Sequence, residues 1–177
     1  MKNVGHYFIL PRRDIMTEKS SFGHCTTKNE IYIAGGQDAR YSELAKVESY
    51  DIKRDAWKNL PAMRHPRCLP SICLFRQRFL YVFGGQNHSA STKFDRPAKF
   101  VREIERLDVR EGIQWEVIQV KGLGEELVIE KIQGHSLNSL QISASEILIF
   151  GSYFKRNSPV FGDILYFLFD HDKQTVK

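Results

Sequence analysis

The feature that most constrains this chain is a phrase that comes back. Residues 31–36 read IYIAGG, residues 80–85 read LYVFGG and residues 147–152 read ILIFGS. Four residues rich in β-branched and aromatic types suit a buried strand. The Gly pair that follows suits a turn with positive φ. A phrase written three times makes this a repeat protein, so the repeat is read before any site.

The residues around each copy recur in register. VESYD at 47–51, IERLD at 104–108 and YFLFD at 166–170 end on Asp51, Asp108 and Asp170. An Asp there can hydrogen-bond the backbone of a tight turn between strands. Trp57 and Trp115 follow the first two phrases. With its apolar strand, its Gly pairs (Gly35-Gly36, Gly84-Gly85, then Gly151 with Ser152), its aromatic before an acid (Tyr50-Asp51) and its Trp, the chain resembles the Kelch repeat family. Gly35 and Gly84 lie 49 residues apart, near the family's period of roughly 50. Gly84 and Gly151 lie 67 apart, so the second unit carries insertions, mainly after Gly85 and after Trp115. The departures are Ser152 for the second Gly, Leu107 for the aromatic, and Val176 where a third Trp would fall.

The resemblance implies an all-β chain, a β-propeller segment of about three four-stranded blades covering 11–60, 61–120 and 121–177. Strands are expected near 6–10, 23–27, 31–34, 46–50, 56–60, 70–75, 79–83, 102–107, 115–120, 134–140, 146–150 and 164–169, with no convincing helical period anywhere. HYFIL at 6–10, before Pro11, looks like AWKNL at 56–60, before Pro61, so Tyr7 stands where Trp57 stands. The chain then opens on a last strand, the third unit stops without one, and strand 6–10 is a candidate to complete it. FGHCT at 22–26 resembles QGHSL at 133–137, which gives His24 and His135 one repeat position. Propellers close with about four to eight blades, so the segment is incomplete as a single ring. A homodimer exchanging strand 6–10, a sharp three-bladed closure, and a place in a larger assembly all remain open.

Composition bounds the rest. An apolar content of 42% over 177 residues is that of a globular chain. No apolar run is as long as a secretory core or a membrane span, so a soluble, cytoplasmic protein with no membrane contact is expected. Cys25, Cys68 and Cys73 are odd in number and read as buried thiols rather than a disulfide framework. The net charge of +5 favours an acidic partner. Its bases alternate with acids through 93–106, which is not the clustering of a nucleic-acid footprint.

Candidate chemistry is sparse. No Lys-Ser/Thr follows the Gly pairs, so they read as turns rather than phosphate loops. His24 and His135 have no third ligand in register, and Cys68 with Cys73 lacks zinc spacing. No metal or cofactor is expected. Glu125-Glu126 reads as a solvated pair, and no nucleophile, base and orienter assemble into a catalytic set. The resemblance instead implies a protein-binding scaffold that meets its ligand on the loops after the Gly pair and between blades. On this chain those loops carry Arg40, Tyr41, Arg64, Arg67, Lys93, Arg96, Tyr153, Lys155 and Arg156. Arginine and tyrosine are the types that anchor interfaces. The alternative is a Kelch-fold enzyme of the sugar-isomerase or copper-radical oxidase type, which needs side chains converging at the ring centre.

Overall fold

The computed structural model describes residues 11–88, 99–119, 137–152 and 164–176, and among them every regular element is a strand. The first sheet is β1 (Gly23–Thr26), β2 (Glu30–Ala34), β3 (Val47–Asp51) and β4 (Ala56–Leu60), antiparallel and in chain order. The second opens with β5 (Ser71–Phe75) and β6 (Phe79–Phe83). After a small hairpin of β7 (Gln86–Asn87) and β8 (Lys99–Phe100), it resumes with β9 (Ile104–Asp108) and β10 (Trp115–Ile118). The third is β11 (Leu137–Gln141), β12 (Glu146–Ser152), β13 (Ile164–Asp170) and β14 (Thr175–Val176). These are three four-stranded blades. Their first strands adjoin, with β5 touching both β1 and β11, and no ring closes among the described residues.

The second sheet shows why the phrase is apolar at every position. Side chains alternate across a strand, and this sheet is covered on both faces. Leu80 and Val82 pack with Leu107 and Trp115 against Tyr32, Ala34 and Val47 of the first sheet. Tyr81 and Phe83 face the other way, with Phe75, Ile104 and Ile118, onto Ile147, Ile149 and Phe169 of the third. Each such side chain fully buried contributes about 1.5–3 kcal/mol, so the seams between sheets form the core. The second seam is the more aromatic: the rings of Tyr81 and Phe169 lie 5.4 Å apart and those of Phe83 and Phe169 6.0 Å apart, both edge to face.

At the outer turns the repeated aspartates act on the backbone. Asp51 Oδ1 accepts from the amides of Lys53 and Arg54, Asp108 Oδ1 from Arg110, and Asp170 Oδ1 from Asp172 and Lys173, at 2.9–3.1 Å.

The third unit departs from its sequence reading in three ways. Its fourth strand is not absent, because Thr175–Val176 pairs with Phe169 and Asp170. Residues 6–10, including Tyr7, lie outside the described residues. Gly151 and Ser152 make no turn. They continue the ladder, opposite Leu165 and Ile164, since Ser152 carries a Cβ and cannot cheaply take the φ of +102° seen at Gly36. Finally, His24 pairs with Ile33 while Ile149, its counterpart in the third copy of the phrase, pairs with Ser139. Ser139 therefore holds the position expected of His135, which is itself outside the described residues. The hairpin β7 to β8 had no signal in the apolar pattern, as two-residue strands show no period. No helix among the described residues is long and apolar enough to cross a membrane.

Candidate functional site

Three registers define one edge of the sheets. Gly23 pairs with Ala34, Ser71 with Phe83 and Asn138 with Phe150, so β1, β5 and β11 start where β2 and β6 give way to their Gly pairs. The linkers that enter the first two sheets also run along this edge, and they match hydrogen bond for hydrogen bond. Trp57 Nε1–H donates to the carbonyl of Arg13 at 3.0 Å, and Trp115 Nε1–H to that of Pro61 at 2.7 Å. Ser20 exchanges both backbone bonds with Gln37, and Cys68 does so with Gln86, at 2.8–3.0 Å. Ser21 and Leu69 both take positive φ, +56° and +53°. A Cβ on Gly36 would lie 2.5 Å from the Ser20 carbonyl oxygen, and one on Gly85 2.8 Å from that of Cys68. The Gly pair is therefore required twice over, by its φ and by the linker lying against it.

Each linker delivers a cation to a buried glutamate at the second position of β3 or β9. In the second sheet Arg67 and Glu105 are both fully buried, 2.6 Å apart. Arg67 also donates through Nη1 to the carbonyls of Gly84 (2.8 Å) and Glu103 (3.1 Å) and through Nε to that of His65 (3.3 Å). Glu105 accepts from the backbone amides of Arg64 (2.7 Å) and His65 (3.1 Å). Burial pulls the Arg67 guanidinium below the usual arginine range, opposed by the Glu105 charge; arginine remains a cation regardless. In the first sheet Lys19 Nζ lies 2.8 Å from Glu48 Oε2, both side chains buried, with Thr17 and Lys46 also at Glu48. Burial pushes the Lys19 ammonium below its ordinary value, against the pull of Glu48.

Arg67, expected on a surface loop, is thus an interior residue, because its guanidinium neutralises Glu105 and ties the linker to the sheet. Arg40, Tyr41 and Arg64 are exposed. Arg64 is also tied down, its Nε donating to the Trp115 carbonyl at 3.1 Å. Tyr41 is 79% exposed at φ +60°. It projects from a loop closed by Asp38, whose Oδ1 accepts from the amides of Arg40 (2.8 Å) and Ser42 (2.9 Å). Lys93, Arg96, Tyr153, Lys155, Arg156 and the pair Glu125-Glu126 lie outside the described residues. Between the starts of β1, β5 and β11 runs a groove of about 210 Å³ with Phe22, His24, Leu69, Pro70 and Asn138 in its lining.

The same edge gathers a group that no spacing in the sequence announced. Glu43, buried, accepts from Gln37 Nε2 at 3.2 Å and lies 2.7 Å from His88 Nδ1; these bonds hold its carboxyl below the ordinary value although burial alone would raise it. The thiol of Cys68 lies beside them, with donor atoms of all three residues within 4.8 Å of one another. Burial pushes up the thiols of Cys25 (to about 12), Cys73 (to about 11) and Cys68, so all three are protonated at neutral pH and poor nucleophiles.

Residues 19–64 match the Kelch motif family. No curated protein matches the chain. The matched stretch begins at Lys19 and takes in the whole first sheet, and the second sheet repeats its strand order, Gly pair, turn aspartate and Trp. Residues 19–64 thus form a Kelch motif, and the second sheet is built on the same plan.

Proposed function

We propose that this chain is a protein-interaction module that receives an acidic peptide or protein along the edge where its Gly-pair loops and linkers emerge. Kelch repeats serve in general as protein-interaction modules. The observation that carries the reading is the loop of Arg40 and Tyr41: an arginine and a nearly fully exposed tyrosine on a loop braced by Asp38. A rigid support presenting such residues is how loops recognise partners, and the net charge of +5 favours an acidic one. Arg64 extends the surface, and Lys93, Arg96, Tyr153, Lys155 and Arg156 remain candidates from the sequence.

The test is fluorescence anisotropy with a pool of Asp/Glu-rich peptides. The wild-type chain is expected to bind, more weakly as salt rises. Arg40→Glu with Tyr41→Ala should weaken binding at least tenfold while the melting temperature stays unchanged. Equal binding by that variant would remove this surface from consideration. Light scattering on the same samples reads assembly: a molar mass near twice 20.6 kDa supports a ring completed by a second copy.

A further inference from the structure

The geometry points to a zinc site: we propose that Glu43, Cys68 and His88 together bind one zinc ion at the junction of the first and second sheets. The three residues come from three separately anchored segments. Glu43 bridges to Gln37 within the first Gly-pair loop, Cys68 is locked to Gln86 by two backbone bonds, and His88 directly follows β7. The Asn87 side chain fixes that corner by donating to the Pro66 carbonyl at 2.9 Å.

The donor set selects the metal. A thiolate excludes magnesium and calcium, which take oxygen ligands, while thiolate, imidazole and carboxylate together suit zinc. Ligand atoms around tetrahedral zinc stand about 3–4 Å apart, given bonds of about 2.0–2.3 Å. The present set, within 4.8 Å, closes on an ion by small side-chain rotations. Glu43 and Cys68 are buried whereas the His88 side chain is 46% exposed, which leaves a path of entry on one side. Gln37, donating to Glu43, already orients that ligand from behind, as the second layer of a metal site does. On binding, the Cys68 thiol proton leaves to solvent, and His88 ligates through Nδ1 as the neutral imidazole that carries its one proton on Nε2. Thiolate and carboxylate then cancel the dication, and water takes the fourth position. The ion would clamp a loop of the first sheet, the linker and the second sheet, whatever the identity of a peptide partner.

Cobalt(II) serves as the probe, because a thiolate ligand gives it a near-ultraviolet charge-transfer band that oxygen and nitrogen ligands do not. Titrated into the reduced chain, cobalt should give that band, saturate at one equivalent and be displaced by zinc. Cys68→Ser should abolish the band, while Cys25→Ser with Cys73→Ser should keep it. His88→Ala, a change at an exposed side chain that leaves the core intact, and Glu43→Gln should each weaken affinity at least tenfold. Absence of the band in the wild type, its persistence in Cys68→Ser, or unchanged affinity in His88→Ala would overturn the proposal.

Discussion

The linkers into the first and second sheets occupy one frame with two different cations, and the difference shows what a buried charge needs. Arg67 meets Glu105 and three carbonyls, and Glu105 in turn serves two backbone amides. Lys19 meets Glu48 alone, and its Nζ makes no well-aligned hydrogen bond among the described residues. Both pairs carry the cost of leaving water, and only good geometry with further hydrogen bonds offsets it. Arginine's planar fork spans several acceptors at once, whereas lysine offers a compact point charge. The second linker is therefore a structural lock, and the first is a weaker copy of it.

The comparison can be broken most directly at the glutamates. Glu105→Ala leaves Arg67 buried without a countercharge and two amides without an acceptor, and should cost about 3–5 kcal/mol in urea unfolding. Glu48→Ala should cost less, about 1–3 kcal/mol, because fewer groups depend on it; equal losses would mean that the two linkers are equivalent after all. Exchanging the cations sharpens the point. Arg67→Lys strands the carbonyls of Gly84 and Glu103 and should destabilise by about 1–3 kcal/mol, while Lys19→Arg should be neutral or stabilise by up to about 1 kcal/mol. A smaller difference is expected at the tryptophans. Trp115→Phe, at a fully buried ring, should lose about 1 kcal/mol more than Trp57→Phe at a half-buried one, read as midpoint shifts.

The smallest expected effect lies at the other seam, which among the described residues is closed by aromatic packing. His171 there sits 2.7 Å from the Tyr81 hydroxyl and stacks on Phe75, 4.6 Å away. Burial first, then the charges of Arg76 and Arg106, against Asp172 and Asp170, hold its imidazole below the usual 6.5. Between that lowered value and 6.5 the unfolded chain binds more protons than the folded one. The stability it contributes is complete above pH 6.5 and is lost as pH falls through the window. Unfolding free energies measured from pH 7.5 down to 5 should fall in the wild type and fall less in His171→Gln. Parallel curves would show that the imidazole does not titrate with folding.

The repeat itself was open to reading from the letters, because strands buried on both faces must be apolar throughout and their turns need Gly and Asp. The locks were half visible. Glutamate stands second in both VESYD and IERLD, and the third phrase has Phe167 in its place. A glutamate in a strand reads as a solvent-facing residue unless its partner is known, and the partners lie in linkers of unlike sequence, TEK at 17–19 against HPR at 65–67. Arg67, standing in a loop between blades, likewise reads as a surface residue until Glu105 is placed against it. Glu43, Cys68 and His88 come together only through the bridges of Gln37 and Gln86 to the linkers and loops beside them, and nothing in their spacing says so.

Gly151 and Ser152 stay in the ladder where the equivalent residues of the other sheets turn away. At about 3.3 Å per residue, two further residues raise the third sheet by about 7 Å over its neighbours. The shared edge is a stair with one step. An extended ligand lying across the starts of β1 and β5 meets this step only at its third-sheet end, so the two directions in which it could lie are not equivalent.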